Sequence, residues 1–200
     1  MTSRHIDSSQ LSARDAYFML IDTIVPRPIA WVTTVSADGV PNLAPFSFFS
    51  GVTGRPPTLA ISLAPRVDRH ADGSRDVREK HTLANLRSTG ELIVHVTPKE
   101  RQAQVVASAV DRPPSASELT DLGFGPTESG TWVQVPRLVE LPIAMECRVD
   151  RIIPVGHPAT HLVLAEVLGW HVREALFVDG RVPSAAWGPL ARLGVEGYGE

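Results

Sequence analysis

The chain carries at residues 26–49 the run PRPIAWVTTVSADGVPNLAPFSFF, and this run decides how its fold is interpreted. Residues 29–35 are mostly β-branched or aromatic, which predicts a strand. An Ala-Asp-Gly triplet at 37–39 predicts a turn, after which a second extended run covers residues 42–52. Alternating apolar residues over 58–63 predict a third strand. We expect these three strands to form a meander.

The rest of the chain continues mainly in short strands. The polar segment over residues 65–80 is rich in arginine and predicts a mobile loop. Because the strands do not alternate in order with helices, the pattern favours a barrel or a sandwich over a parallel α/β sheet. We expect a mainly β fold with peripheral helices, in a single domain over residues 1–200. Strands are predicted over 91–97, 143–153 and 161–172, the last of them central in its sheet, and helices over 12–23, 82–87, 99–110 and 117–122.

The composition and charge exclude several classes of protein. Hydrophobic residues make up 43% of the chain, enough for a sizeable core. The 19 basic and 22 acidic residues give a net charge of −3, which argues against a nucleic-acid partner. The amino terminus lacks the apolar stretch of a signal peptide, and no run reaches membrane-spanning length, so we expect a cytoplasmic protein with no membrane contact. The single cysteine, Cys147, lies on the apolar side of an alternating run and predicts a core thiol.

Motifs for several common sites are absent from the sequence. No glycine fingerprint of the dinucleotide-binding or phosphate-loop kind occurs, and no cysteine–histidine cluster has zinc spacing. His157 and His161 are four residues apart, but Pro158 lies between them and argues against a shared helix. We therefore expect no metal site.

Two stretches have the chemistry of a binding site. Residues 26–49 place small residues, hydroxyls and an amide against aromatic rings, a mixture suited to a flat heteroaromatic ring. Taken singly, this stretch also fits a hairpin with an aromatic core patch. The second stretch offers hydroxyl, basic and amide groups that would surround a phosphate dianion. Taken singly, it also fits a solvated basic loop. Its residues are Ser62, Arg66, Lys80, Thr82 and Asn85.

Taken together, these stretches give the chain a resemblance to a known family. The strongest part is PRPIAWV at 26–32 followed by NLAPFSFF at 42–49. Over nearly its whole length, the sequence resembles the flavin reductase-like family of FMN-binding split β-barrels, which includes flavoredoxins and the reductase components of two-component monooxygenases. The supporting runs are KHTLANL at 80–86, PIAMEC at 142–147, HLVLAEV at 161–167, and PLARLG at 189–194 followed by Tyr198.

The resemblance implies a Greek-key split barrel, a homodimer and an FMN site. The groove for FMN would be completed by the second subunit, with Tyr198 as a lid. The resemblance implies that the isoalloxazine ring lies along Thr33, Thr34, Asn42, Leu43, Ala44, Pro45, Phe46 and Ser47. It also implies that the ribityl phosphate is held by Ser62, Arg66, Lys80 and Thr82.

Four further positions bear on the implied site. Similar proteins place a histidine at the start of one strand, near the nicotinamide side of the ring, and here this residue is His161. Arg27 is either a contact of the flavin or substrate, or part of a loop that its flanking prolines pin. Two residues depart from the family pattern, since His81 stands where an aspartate is common and His95 where an asparagine is common. His95 is either on the less buried face of its strand or in contact with the flavin.

The resemblance therefore predicts an FMN-binding oxidoreductase that passes hydride from a nicotinamide to FMN. The donor is NADH or NADPH, and the sequence does not choose between them. Two alternatives stay open: a flavoredoxin-like electron carrier, and a barrel that has lost flavin and works as a binding module. A monooxygenase or another electron acceptor would be the partner protein.

Overall fold

The computed structural model describes residues 2–70, 72–113, 115–195 and 197–199. The strands are β1 (Arg27–Pro28), β2 (Ala30–Val35), β3 (Pro41–Phe46), β4 (Phe49–Gly54), β5 (Pro57–Leu63), β6 (Arg66–Arg69), β7 (Arg75–Arg78), β8 (Glu91–Val96), β9 (Thr127–Ser129), β10 (Pro136–Leu138), β11 (Ile143–Val155), β12 (Thr160–Val172), β13 (Ala191–Leu193) and β14 (Gly197–Gly199). The α-helices are α1 (Ala13–Thr23), α2 (His81–Thr89), α3 (Gln102–Ser108) and α4 (Glu118–Asp121). Short 3₁₀ turns occur at Ser8–Gln10, Lys99–Arg101, Glu174–Leu176 and Ser184–Ala186.

A seven-stranded antiparallel sheet forms the centre of the molecule, in the order β3-β2-β8-β11-β12-β5-β4. The long strands β11 and β12 pair along almost their whole length, so the predicted central position of residues 161–172 is confirmed. A smaller sheet in the order β1-β13-β14 joins the carboxy-terminal segment to the two residues before the first predicted strand. The predicted mainly β fold with peripheral helices is therefore confirmed.

The predicted meander is wrong, because β3 and β4 lie at opposite edges of the central sheet. The prediction treated residues 42–52 as one extended run, whereas the chain bends at Ser47 and Phe48 between two strands. After this bend, Ser62 of β5 donates its backbone N–H to the carbonyl oxygen of Phe48 at 2.9 Å. The chain thus passes from one edge of the central sheet to the other. The edge of β3 that has no strand partner faces α3 and α4.

The segment that the sequence predicted as a mobile loop contains a β-hairpin made of β6 and β7. Asp68 accounts for this difference, because its carboxylate accepts hydrogen bonds from Arg66 on its own strand and Arg78 on the facing strand. Arginine-rich composition predicted solvent exposure correctly but did not reveal this cross-strand ion pair.

The main core lies between the central sheet and α2, and a second apolar cluster joins β2 to α3 and α4. Cys147 belongs to the main core, as predicted, and burial raises the pKa of its thiol. Its neighbour Glu146 is fully buried too, which the alternating pattern did not predict. A register shift between these two residues in the pairing of β11 with β12 breaks the alternation.

The buried carboxylate of Glu146 is held by four hydrogen bonds. It accepts the backbone N–H groups of Thr131, Trp132 and Val133 at 2.6–3.1 Å, and the His171 ring bonds it at 2.5 Å. Burial opposes ionisation of Glu146, yet these bonds hold its pKa below the ordinary value. Glu146 therefore anchors the loop over residues 130–133 to the central sheet.

No helix in the described part of the chain is both long and apolar enough to cross a bilayer.

Candidate functional site

A groove runs between β3 and the segment that contains α3 and α4, and it has two connected sections. The section around Lys80 also includes Asn42 and Ala44 from β3 and the residues that follow α3. The section around Tyr198 has aromatic and aliphatic residues in its lining, Phe46 and Ile29 among them, and reaches the carboxy-terminal strands. Pro45 and Ala109 line both sections, so the two form one continuous groove. We call them the Lys80 section and the Tyr198 section.

The Lys80 section is built on the amino-terminal end of α2. Lys80 is the N-cap residue of this helix and makes no side-chain capping bond, so the first N–H groups of α2 keep their partial positive charge. Thr82, in the first turn, is buried, and its hydroxyl accepts a hydrogen bond from the Asn42 amide at 3.1 Å. A helix start beside an ammonium group is suited to hold an anion.

The cations of this section differ in how far carboxylates neutralise them. Arg66 bonds Asp68 at 3.0 Å and also forms an ion pair with Asp111. By contrast, no carboxylate of the described residues lies within ion-pair distance of Lys80, whose ammonium lies 5.3 Å from the centre of the Phe46 ring. Loss of water around the Lys80 ammonium lowers its pKa, and repulsion by Arg66 adds to this effect. Lys80 is therefore the cation of this section that is most available to an anionic ligand.

The structure divides the predicted ring contacts into two groups. Asn42, Ala44, Pro45, Phe46 and Ser47 line the groove. Thr33, Thr34 and Leu43 have no exposed surface, and their polar groups bond other parts of the protein.

The second group therefore supports the groove wall from behind. Thr34 accepts a hydrogen bond from the Asn85 amide at 3.0 Å, and Leu43 donates its backbone N–H to Glu118 at 3.0 Å. Thr33 makes a longer bond of 3.4 Å to the Ile93 carbonyl oxygen. Asn85, predicted as a phosphate contact, thus fixes the wall instead.

The predicted phosphate residues are brought together only in part. Arg66, Lys80 and Thr82 all line the Lys80 section. Ser62 lies outside it, on β5, in register with Leu162. His81, the first departure from the family pattern, is half-buried and also lines this section.

His161 lies in a neighbouring pocket that shares Arg78, Glu79 and Lys80 with the Lys80 section. Arg87 bonds the Nε2 atom of His161 at 3.0 Å. Because a guanidinium only donates, Nε2 must accept, and a neutral His161 carries its proton on Nδ1. The structure thus places His161 beside the groove, not within it.

Arg27 and His95 are both buried, and both bond backbone groups of the protein. Arg27 is buried and donates to backbone carbonyl oxygens of α1 and its end, and to that of Gly194 at 2.9 Å. Burial lowers the pKa of Arg27, and repulsion by Arg192 adds to this. It therefore pins the end of α1 to the carboxy-terminal segment.

His95 is fully buried, so neither the less buried strand face nor a flavin contact is correct. Its Nδ1 bonds the Trp31 carbonyl oxygen at 3.2 Å, and its Nε2 accepts the Leu138 N–H at 3.0 Å. Burial lowers the pKa of His95 to about 3, so the ring is neutral at ordinary pH.

Glu118 is one of the groove residues that the sequence did not reveal. It is buried on α4, lines the Lys80 section, and accepts the N–H of Leu43 on the open edge of β3. An acidic residue in the first turn of a helix is common for helix stability alone, so no sequence signal marked it. Within the described ranges, no group of three histidine, cysteine, aspartate or glutamate side chains has the arrangement of a metal site.

Comparison with known proteins identifies the family. A family model described as Flavin reductase like domain matches residues 22–186. The structure is similar to nitrilotriacetate monooxygenase component B from Bacillus cereus, with a TM-score of 0.87 and 32% identity, covering 99% of this chain and 95% of that chain. It is also similar to the 2-nitrobenzoate 2-nitroreductase of Pseudomonas fluorescens, with a TM-score of 0.81 and 28% identity, covering 98% and 90% of the two chains.

A more distant structure supports the fold. A split-barrel protein from Shewanella frigidimarina shares 17% identity and has a TM-score of 0.79, with 98% of this chain and 94% of that chain covered. The expected split barrel is therefore confirmed. Because the family model spans most of the sequence, this protein belongs to the flavin reductase-like family.

Proposed function

We propose that this protein binds FMN in the groove and works as an NAD(P)H-dependent flavin reductase. The observation that carries the proposal is the position of Lys80, a cation without a carboxylate partner among the described residues. It lies at the start of α2 and at one end of a groove whose far section has Ile29, Phe46 and Tyr198 in its lining. The charges and walls of the groove therefore match a ligand with an anionic end and a flat ring. FMN has both.

The Lys80 section would hold the phosphate of FMN. Lys80 and Arg66 would supply positive charge, and the first N–H groups of α2 would donate hydrogen bonds. Thr82 has its hydroxyl hydrogen free to donate, because the oxygen accepts from Asn42. The phosphate would compete with Asp111 for Arg66, so Lys80 would contribute more to affinity than Arg66.

The wall of β3 would position the ring. Ala44, Pro45, Phe46 and Ser47 form this wall, and Thr34 and Asn85 fix it from behind. Bound FMN would supply the hydride and electron transfer chemistry, so the protein needs no nucleophile of its own. The task of the protein residues is to orient the ring and to limit the access of water.

His161 would lie on the side from which the nicotinamide approaches. Its pocket adjoins the Lys80 section, and its bond with Arg87 fixes which ring nitrogen carries the proton. We propose that Nδ1–H of His161 donates to the nicotinamide amide once both ligands are bound.

One face of the molecule is suited to contact with a second copy of the chain. The edge strand β4 is exposed along most of its length, and Val52 on it is 56% exposed. Next to β4 an apolar groove is lined by Phe49, Leu59, Met145 and Trp170, among others. An unpaired strand edge is a template for pairing with another chain, and an exposed apolar groove is typical of an interaction site. We propose a homodimer through this surface.

The cellular role follows from the same proposal. We propose that the protein is cytoplasmic and passes electrons to a monooxygenase or another acceptor protein. The similarity to a monooxygenase component B supports an oxygenase partner. The experiment below distinguishes this function from the two alternatives, an electron carrier and a barrel that has lost flavin.

An absorbance titration tests the proposal. FMN is added to the purified protein, and the complex is then mixed without oxygen with NADH and, separately, with NADPH. We expect bound flavin that bleaches rapidly with at least one donor, and the faster donor is the one that the protein prefers. Bound flavin that stays oxidised with both would indicate a flavoredoxin-like carrier, and no FMN binding would reject the proposal.

A further inference from the structure

The wall of the groove contains a buried carboxylate that the proposed phosphate site does not use. Glu118 lines the Lys80 section, and only 5% of its surface is exposed. Its Oε2 atom accepts the backbone N–H of Leu43 at 3.0 Å. Its Oε1 atom has no donor among the described residues and is not enclosed by the protein. Because a carboxylate can accept about four hydrogen bonds, Glu118 has an acceptor left for a ligand in the groove.

No cation neutralises Glu118, since none of the described lysine, arginine or histidine side chains lies within ion-pair distance of it. Arg112 lines the same section but bonds Asp121 at 2.9 Å. Arg66 also lines it but bonds Asp68 at 3.0 Å. An anionic ligand group placed next to Glu118 would be repelled, whereas a neutral hydroxyl would donate a hydrogen bond to it.

The bond to Leu43 fixes where Glu118 lies along the groove. Asn42, one residue earlier on β3, bonds Thr82 at the end proposed for the phosphate. Pro45, two residues after Leu43, lines both sections of the groove. Since strand residues advance by about 3.3 Å each, Glu118 lies between the place proposed for the phosphate and that proposed for the ring. In FMN, this part of the molecule is the ribityl chain with its three hydroxyl groups.

We propose that Glu118 is a specificity-determining residue whose Oε1 atom accepts a hydrogen bond from a ribityl hydroxyl. Ser108 of the same section cannot take this role, because its hydroxyl accepts from Trp31 and donates to the Val105 carbonyl oxygen, both at 2.8 Å. A hydrogen bond to a charged acceptor is roughly twice as strong as one between neutral groups. The groove thus selects a hydroxylated linker between phosphate and ring. This inference rests on the proposed function, because it takes FMN as the ligand.

FMN and a flavin with a phosphopentyl chain are the probes that test this proposal. They share the ring, the chain length and the phosphate, and only FMN has hydroxyls on the chain. Any effect of a substitution on the phosphate therefore cancels in the ratio of the two dissociation constants. The constants are measured by fluorescence titration of the wild type, Glu118→Gln and a control variant.

Glu118→Gln removes the charge and keeps an oxygen for the N–H of Leu43. Asp121→Asn is the matched control, since Asp121 is on the same helix, is exposed and does not line the groove. Circular dichroism checks that each variant folds.

We expect the wild type and Asp121→Asn to bind FMN at least about tenfold more tightly than the phosphopentyl flavin. Glu118→Gln should lower this ratio at least about fivefold, because a neutral amide replaces the charged acceptor. A ratio near one in the wild type would overturn the proposal, as would an unchanged ratio in Glu118→Gln.

The three monodeoxy forms of FMN decide the question with the wild type alone if Glu118→Gln does not fold. Because one carboxylate oxygen is proposed to bond one hydroxyl, removal of that hydroxyl should account for most of the ratio. A loss shared equally by all three hydroxyls would overturn the proposal.

The same titrations separate this inference from the proposed function. If FMN binds and the ratio does not respond to Glu118→Gln, the role of Glu118 is rejected and the FMN site stands. If neither flavin binds to the wild type, the proposed function is rejected, and the role of Glu118 is rejected with it.

Discussion

His95 shows how single polar residues are accommodated in the core. Both of its ring nitrogens bond backbone groups, one on β2 and one at the end of β10. An asparagine could donate to the same carbonyl oxygen and accept from the same N–H group, which gives a physical reason why either residue suits this position. The departure from the family pattern at His95 therefore affects the core and does not weaken the proposed groove.

The low pKa of His95 predicts how stability depends on pH. Above about pH 6.5 the ring is neutral in both the folded and unfolded chain, and its stabilising effect is fully present. As pH falls below that value, the unfolded chain takes up a proton that the folded chain, with a pKa of about 3, does not. The His95 ring alone should therefore lower the free energy of unfolding by about 1.4 kcal/mol for each unit by which the pH falls.

Urea unfolding of the wild type and His95→Asn between about pH 7 and pH 5 checks this prediction. The variant should lose this part of the pH dependence and stay folded. His95→Leu should be less stable by about 2–4 kcal/mol, because two buried backbone groups lose their partners. Equal pH slopes in the wild type and His95→Asn would contradict the account.

Glu146 is a buried polar residue that holds a whole loop in place. Its carboxylate gathers three consecutive backbone N–H groups of residues 131–133, and His171 completes the set. A glutamine has only one acceptor atom, and its amide group would face donors. We predict that Glu146→Gln destabilises the protein by about 3 kcal/mol and frees this loop.

Chemical denaturation gives the stability, and hydrogen exchange of the amides of residues 131–133 reports on the loop. Glu91→Gln is the matched control, since Glu91 accepts one backbone N–H, from Gln134 in the following position, at the protein surface. The control should cost less than about 1 kcal/mol. Equal effects of the two substitutions would show that burial of Glu146 does not matter.

The sequence predicted the main strands and helices well and their arrangement less well. Strong apolar patterns gave residues 29–35 and 161–172, because both strands lie between two others in the central sheet and have apolar side chains in its core. The bend at Ser47 and Phe48 escaped prediction, since small and aromatic residues continue through it. Short strands such as β13 and β14 depend on distant partners, which local sequence does not show.

The candidate site was predictable where side chains face the groove. Lys80 and residues 44–47 were named from the resemblance and line the groove. Thr33 and Thr34 were named too, but β2 is buried on both faces, so neither side chain reaches the groove. Glu118 was missed because its partner, the open edge of β3, exists only once the sheet has formed.

The exposed β4 edge makes a prediction about the molecule as an assembly. Sedimentation should show two chains per particle for the wild type, and Val52→Asp should shift the protein to single chains. A buried carboxylate at a subunit interface is costly, whereas the same change at Val178, which is 53% exposed in a loop, should have no effect. A wild type that sediments as a single chain would contradict the proposed dimer.

The central claim is that the groove binds FMN with the phosphate at Lys80. The most direct test compares the dissociation constants of FMN and riboflavin, which lacks the phosphate, for the wild type, Lys80→Met and the surface control Arg181→Gln. We predict that the wild type and the control bind FMN at least about tenfold more tightly than riboflavin, a difference of about 1.4 kcal/mol, and that this ratio falls to near one in Lys80→Met. Equal binding of the two flavins by the wild type, or an unchanged ratio in Lys80→Met, would contradict the account.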